Sequence, residues 1–150
     1  MASPEGSTVI FRRAPADLRR GAIERFARKL QLEVTRGRAF DCLITGDAEL
    51  RRLNRDFRGK DYPTDVLSFP NGTGLPASLG DLAISLSRAR AQARRYGHRP
   101  EQEIQILMLH GVLHLLSMDH ETDGGRMARA EKRWRAHLGL PNGLIERVRS

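Results

Sequence analysis

The sequence predicts a single α+β domain in which a small mixed sheet packs against helices, with one buried helix at its centre. Strand-like segments are concentrated in the first half of the 150 residues, amphipathic helical segments fill most of the second half, and one helical segment is apolar almost throughout. The chain contains no internal repeat, low-complexity tract or linker, and its length suits one domain. We therefore expect residues 1–150 to form one domain.

The first half begins with two expected strands, over Thr8–Phe11 and Ala39–Thr45. Between them, an amphipathic helix is expected from about Ala16, and its other face is basic. The apolar stripe of this helix comprises Leu18, Ala22, Ile23, Phe26, Ala27 and Leu30. The stripe predicts which face of the helix packs on the sheet.

After the second strand, Gly46-Asp47 introduces a short helix with Asp47 as a plausible N-cap. The apolar positions of this helix are Leu50, Leu53 and Phe57. Further strands are expected over 65–69 and 81–85. The residues between them, 70–76, include two prolines and two glycines and therefore predict a loop.

Three helices are expected in the second half, over Leu86–Tyr96, 100–117 and 124–138. The middle helix carries the most apolar run of the chain, from Ile104 to Leu116. This run leaves no broad polar face, which is typical of a helix buried against a sheet. We expect this helix to be central.

His110, His114 and His120 lie at the end of that apolar helix. His110 and His114 are spaced i, i+4, so their side chains share one helix face, and His120 follows six residues later, where the chain can turn back. Any one of them alone is more often a hydrogen-bonded core residue. Three neutral imidazoles suit Zn²⁺ and leave a fourth position for water or substrate, so the spacing predicts one catalytic zinc ion per chain.

These spacings of four and six residues also match the histidines of the metzincin signature H-E-x-x-H-x-x-G-x-x-H. Gly111 stands where the protease has its general-base glutamate, and Ser117 stands where it has glycine. Without a carboxylate at position 111, the chain lacks the group that would activate water for peptide hydrolysis. The pattern favours a zinc site with a different chemistry.

Three segments resemble the YbeY family in sequence and in order. Residues 110–120, HGVLHLLSMDH, resemble the family motif H-G-x-L-H-L-x-G-Y-D-H, with Ser117-Met118 in place of Gly-Tyr. Residues 53–70, LNRDFRGKDYPTDVLSFP, resemble L-N-x-x-[YF]-R-G-K-D-x-P-T-D-V-L-S-F-P, and residues 79–85, LGDLAIS, form the third block. The resemblance implies a single-strand-specific endoribonuclease that matures the 3′ end of small-subunit ribosomal RNA and acts in ribosome quality control. It also implies ribosomal proteins or assembly factors as partners.

Arg58 is the candidate catalytic residue beside the histidines. A guanidinium can hold two non-bridging oxygens of a phosphodiester as negative charge develops on them. The alternative is that Arg58 braces its turn by pairing with Asp61 or Asp65. The family arginine at this motif position favours the catalytic role, for which Arg58 also binds substrate, and Lys60 is a weaker candidate for contact with a phosphate.

Several other polar residues are expected to support the site or to lie on the surface. Asp65 and Asp81 are expected to buttress the site, and either could orient an imidazole, because carboxylates often hold the free nitrogen of a metal-binding histidine. Asp119 could belong to the same outer set. His98 and His137 lie in arginine-rich stretches and are expected to be surface residues.

The composition favours a nucleic-acid partner. The formal net charge is +8, and all 26 basic residues are arginines except Lys29, Lys60 and Lys132. Arginine binds phosphate with a planar fork and stacks on bases. Clusters such as the arginines between 88 and 99 are equally compatible with a solvated helix face.

Cys42 is the only cysteine, so no internal disulfide can form, and we expect it to be a small buried hydrophobe in a protein of the reducing cytoplasm. The N-terminal residues carry no signal-peptide pattern, and no apolar run is long enough for a membrane span. We therefore expect no membrane association.

The histidine spacing predicts zinc, and the family resemblance implies a zinc-dependent endoribonuclease with ribosomal RNA, the ribosome and assembly factors as partners. Two alternatives remain open at this point. One is a ribosome-assembly binding factor with a structural zinc, because an open coordination position is not visible in a sequence. The other is a metalloprotease, which Gly111 opposes.

Overall fold

A computed structural model describes residues 6–12, 17–70, 78–116 and 124–141. These ranges contain four strands and five helices. The strands are β1 (Thr8–Phe11), β2 (Ala39–Thr45), β3 (Val66–Pro70) and β4 (Ser78–Ser85). The helices are α1 (Arg20–Glu33), α2 (Asp47–Arg58), α3 (Leu86–Tyr96), α4 (Pro100–Leu115) and α5 (Arg126–Leu138). The predicted α+β class is confirmed.

The four strands form one mixed sheet in the order β1-β2-β4-β3. β1, β2 and β4 are parallel to one another, whereas β3 pairs with β4 in the antiparallel direction and forms an edge of the sheet. In the antiparallel pair, Ser68 lies opposite Leu82 and Phe69 lies opposite Asp81. Because directly opposed residues project from the same face, Ser68 and Leu82 face one side of the sheet while Phe69 and Asp81 face the other.

α4 lies at the centre of the main core. It contacts α1, α3, α5 and the strands β3 and β4. Most of its side chains are buried, from Glu103 and Ile104 at one end to Leu115 at the other. The predicted central helix is therefore present, and its lack of a polar face follows from having protein on nearly every side.

α1 packs on the same side through Ile23, Phe26, Ala27 and Leu30, which are all buried. Their i, i+3, i+4, i+7 spacing is that of one helix stripe, as the sequence predicts. Of the other two predicted members, Leu18 is buried but precedes α1, and Ala22 is half-buried. Cys42 is fully buried in this core as a free thiol, and burial raises its pKa above the ordinary range. The expectation of a small buried hydrophobe at position 42 is confirmed.

The opposite side of the sheet is covered by α2. Leu50, Leu67 and Ala83 form a second, smaller core there, with Leu53 and Phe69 packed at its margin. α2 therefore ends close to edge strand β3. This arrangement lets the last residue of α2, Arg58, reach the edge of the sheet beside α4.

Some predicted boundaries are wrong by a few residues. α1 begins at Arg20 rather than near position 16, and β4 begins at Ser78 because it extends along β2 and β3 beyond the predicted 81–85. Asp47 is the first residue of α2, and Gly46 is the N-cap. The Asp47 carboxylate instead accepts hydrogen bonds from Ser85 Oγ and Arg88 Nε, at 3.0 and 2.8 Å.

No helix in the ranges that the structure describes has the length and apolar character required to cross a membrane.

Candidate functional site

A cleft runs along the edge strand β3, between the end of α2 and the side of α4. Alternate β3 residues Val66, Ser68 and Pro70 line it, because alternate side chains of a strand point to the same face. The other lining residues are Arg58, Thr64, Asp65, His110 and His114. The structure thus brings Arg58 and two of the three predicted metal ligands into one cleft.

His110 and His114 lie one helical turn apart on α4, as their spacing predicts. Their Nε2 atoms are 3.1 Å apart, and the ring centroids are 4.7 Å apart with the rings inclined at 68°. His110 is only 8% exposed, whereas His114 is half-buried at the cleft. Both Nε2 atoms therefore converge on a single point.

This convergence fits a metal ion. A tetrahedral zinc with Zn–N bonds of about 2.0–2.1 Å separates two ligand nitrogens by about 3.3–3.4 Å. The observed separation of 3.1 Å is close to that value. The predicted third ligand, His120, lies outside the described residues, as does Asp119. Within the described ranges there is accordingly no group of three or more metal-binding side chains.

Glu131 of α5 holds the other nitrogen of His110. Its Oε2 atom lies 2.9 Å from His110 Nδ1, and Glu131 is itself only 2% exposed. Sequence reasoning missed this residue, although a signal for it exists. Glu131 occupies the buried stripe of α5 between Met127 and Trp134, where an apolar side chain would be expected. A carboxylate on such a stripe indicates a buried polar partner.

Gly111 lies on the side of α4 that faces the sheet. A Cβ atom at this position would meet Leu82 Cδ2 at 2.7 Å and Ser68 Oγ at 3.3 Å. The carbonyl oxygen of Gly111 also accepts a hydrogen bond from Ser68 Oγ at 3.0 Å. Close approach of α4 to β3 and β4 therefore requires glycine here, and a glutamate side chain would have no room.

Arg58 is placed by the turn that ends α2. Gly59 has φ of 69°, the left-handed conformation that glycine adopts most readily at a helix end. Asn54 Nδ2 donates to the Tyr62 carbonyl at 2.9 Å, and the Lys60 amide donates to the Asn54 carbonyl at 3.2 Å. This buried asparagine thus fixes the loop after Arg58. Lys60 lies on the exposed part of that loop and does not line the cleft.

Arg58 does not brace the turn through Asp61 or Asp65, because both carboxylates have other partners. Asp61 pairs with Arg51, with Arg51 Nε 2.9 Å from Asp61 Oδ1, and this hydrogen bond lowers the pKa of Asp61. Asp65 accepts hydrogen bonds from the Val66 amide at 2.8 Å and from Gln92 Nε2 at 3.1 Å. Arg58 is exposed and makes no ion pair with any residue in the described ranges.

Neither Asp65 nor Asp81 contacts His110 or His114 through any hydrogen bond found in the described ranges. Asp65 lines the cleft and anchors the start of β3 to α3 through Gln92. Asp81 lies on the face of β4 away from α4, beside Asp41, and burial together with the Asp41 charge raises its pKa. The expectation that Asp81 buttresses the histidines is therefore wrong, because β4 directs its side chain to the opposite face.

The expectation that His98 is a surface residue is also wrong. Its side chain is 7% exposed, and Nε2 lies 2.6 Å from Oε1 of the fully buried Glu103. His137 is an exposed side chain, as expected, with Nε2 2.9 Å from Glu33 Oε1.

In this small α+β domain, one cleft brings together two converging imidazoles and an arginine that forms no ion pair within the described ranges. Such a site is suited to the hydrolysis of charged esters. The family model described as Endoribonuclease YbeY matches residues 10–139. The chain therefore belongs to this family, as the three sequence motifs indicate.

Individual relatives agree with the family match. An Endoribonuclease YbeY of Solibacter usitatus (strain Ellin6076) is 76% identical over 150 residues, which is the full length of both chains. The Koribacter versatilis (strain Ellin345) protein of the same name is 50% identical over 106 residues, covering 71% of this chain and 68% of the relative. A solution structure of a Thermotoga maritima protein has a TM-score of 0.58 and 26% identity, with 87% of this chain and 93% of that chain covered.

Proposed function

We propose that this protein is a zinc-dependent endoribonuclease specific for single-stranded RNA. Its task would be 3′-end maturation of small-subunit ribosomal RNA and ribosome quality control. The observation that supports this most directly is the 3.1 Å approach of His110 Nε2 and His114 Nε2 in a cleft that Arg58 also lines. The name that its relatives carry, Endoribonuclease YbeY, describes cleavage within an RNA chain.

His110 and His114 would hold one zinc ion per chain, with His120 as the third ligand. When bound, zinc would supply Lewis acidity and an activated water at neutral pH, so no separate general base is required. Both imidazoles are held in place because α4, which carries them, is fixed by its contacts in the core. Ser68 stabilises the approach of α4 to β3 through its hydrogen bond to Gly111.

Arg58 would bind the scissile phosphate. Its guanidinium lines the same cleft as the histidines and makes no ion pair in the described part of the chain, so it can take two phosphate oxygens without breaking an existing contact. Negative charge grows on those oxygens as the phosphodiester is cleaved, and a preplaced cation stabilises that charge. Lys60, on the loop that follows, could contact a neighbouring phosphate of the same strand.

The position of Gly111 argues against a metalloprotease. A protease of the metzincin type needs a glutamate directly after the first histidine. Here position 111 is packed against Leu82 and Ser68 and does not itself line the cleft, and even a Cβ atom would be too close to Leu82. Phosphodiester chemistry needs no such residue when arginine and a metal share the charge.

The charge of the chain supports an RNA substrate. A net charge of +8, carried mostly by arginine, favours association with phosphate backbones. We propose ribosomal RNA, the ribosome and assembly factors as partners, in the cytoplasm.

The proposal is tested by metal analysis and RNA cleavage together. We expect about one zinc per chain and cutting of a single-stranded RNA, with less cutting of its duplex and of the matching DNA, because paired A-form RNA resists the bending needed to present one phosphodiester. Association should weaken with salt, with log affinity falling by about 0.7 per phosphate contacted for each unit of log salt. Zinc binding without cleavage of any RNA would point to the assembly-factor alternative.

Arg58→Ala gives the sharpest single variant. We expect zinc content and melting temperature to stay unchanged while cleavage falls by about 10²–10³, the usual effect of removing one transition-state donor. Arg55→Ala is the matched control, since Arg55 is another exposed arginine of α2 that does not line the cleft. Equal loss in both variants would mean that only overall charge matters, and cleavage that persists in His114→Ala would indicate a contaminating nuclease.

A further inference from the structure

Glu131 is a buried carboxylate in direct contact with one of the two cleft histidines, and it lies outside the three segments that carry the family resemblance. We propose that Glu131 is a positioning residue that holds His110 in the tautomer with its proton on Nδ1. His110 Nε2 then presents its lone pair to a metal shared with His114. The inference rests on the zinc site of the proposed function.

The argument begins with the hydrogen bond itself. A neutral imidazole carries one proton, and a carboxylate can only accept, so the 2.9 Å contact between His110 Nδ1 and Glu131 Oε2 places that proton on Nδ1. The lone pair is then on Nε2, which lies 3.1 Å from His114 Nε2. In the other tautomer, an Nε2–H bond would point toward the place where both nitrogens converge and would prevent coordination by His110.

The second step is the rigidity of the contact. Glu131 lies on the buried stripe of α5 beside Ala130 and Met127, which pack in the main core. A side chain that is 2% exposed in such packing has little rotamer freedom. Outer carboxylates that hold a ligand histidine typically strengthen metal binding by orienting the ring and raising its basicity. The geometry of the metal site therefore depends on how α5, which carries Glu131, packs in the core.

The chain also offers a matched control. Glu103 is a fully buried residue of α4, and its Oε1 atom lies 2.6 Å from His98 Nε2. These two residues form a second buried glutamate–histidine pair. His98 does not line the cleft. Glu103→Gln therefore tests what an amide in place of a buried carboxylate does to the fold, without touching a cleft histidine.

The experiment measures zinc affinity by competition with a chromophoric chelator, for the full-length wild type, Glu131→Gln and Glu103→Gln. Glutamine keeps the size of the side chain but can either accept from Nδ1 or donate to it, so it no longer selects one tautomer. We expect Glu131→Gln to weaken zinc binding about 10- to 100-fold. Glu103→Gln should lower the melting temperature but leave zinc affinity within twofold of wild type.

A second readout does not depend on any variant folding. ¹⁵N NMR of the histidine rings in zinc-free wild-type protein should find the His110 proton on Nδ1. A proton on Nε2 of His110, or equal zinc affinity in wild type and Glu131→Gln, would overturn the inference. Equal loss of zinc affinity in Glu131→Gln and Glu103→Gln would also overturn it, because the effect would then be general destabilisation. If the wild type binds no zinc, the proposed zinc site fails, which is a different result.

Discussion

Two buried histidine–glutamate pairs each have one member on α4, Glu103 near its start and His110 farther along, and the two pairs use different nitrogens of the imidazole. Near the N-terminal end, His98 uses Nε2 to contact Glu103 at 2.6 Å. Toward the C-terminal end, His110 uses Nδ1 to contact Glu131 at 2.9 Å. Both pairs are almost completely buried, so the two regions do not differ in solvent exposure or in the types of residue that are paired. The difference lies in the nitrogen that is left for another partner.

Near the N-terminal end of α4, the contacts around His98 belong to the turn between α3 and α4. His98 stacks on Tyr96 with ring centroids 6.5 Å apart, and the Arg99 amide donates to Gln102 Oε1 at 2.9 Å to begin the helix. At the C-terminal end, Nε2 of His110 meets Nε2 of His114 beside an open cleft. The comparison teaches that a buried histidine–glutamate pair indicates a ligand site when the other ring nitrogen faces a second possible ligand.

The largest expected difference between the two regions is in metal content. His110→Ala or His114→Ala should abolish tight zinc binding, with a loss greater than the roughly 100-fold that removal of an outer partner can cause. His98→Ala should keep about one zinc per chain, although it leaves Glu103 buried without its partner and lowers stability. Metal analysis after gel filtration distinguishes these results. Unchanged zinc in both cleft variants would refute the site assignment.

The next effect in size is the response to a chelator. With free zinc about 100 times Kd, binding only to the folded state adds about 2.7 kcal/mol, or roughly 5–11 °C in Tm for a chain of this length. We expect EDTA to remove this increment from wild type and from Glu103→Gln. His114→Ala should melt at the same temperature with and without chelator, and a chelator-induced shift in that variant would place the metal elsewhere.

The same comparison marks the limit of what the sequence predicts. Helical spacing was sufficient to predict the buried stripe of α1 and the shared face of His110 and His114, because both depend on local geometry. The pairing of His110 with Glu131 joins residues 21 positions apart and depends on how α5 docks, which no local pattern specifies. His98 was predicted to be exposed because its neighbours in sequence are polar, yet Glu103 and the start of α4 enclose it.

The smallest expected effect concerns how closely α4 packs against β3 and β4 next to His110, and glycine-to-alanine variants measure it. At Gly111 a new methyl group would lie 2.7 Å from Leu82 Cδ2, and Leu82 is itself buried in the core and has little space to move. Such overpacking typically costs about 1–3 kcal/mol, which exceeds the gain of about 0.5–1 kcal/mol from replacing glycine within a helix. Gly111→Ala should therefore unfold at lower denaturant concentration than wild type.

Gly21 of α1 is the matched control for this variant. Its Cβ would meet only the exposed, flexible end of Arg25, at 3.1 Å, so alanine should be tolerated there and raise stability by up to about 1 kcal/mol. Urea unfolding followed by circular dichroism would compare the two variants with wild type. Because the methyl group at position 111 would push the helix away from β3 and β4, we also expect weaker zinc binding in Gly111→Ala. Zinc affinity should be unchanged in Gly21→Ala. A Gly111→Ala protein as stable as wild type would mean that α4 is not held tightly against the sheet next to His110.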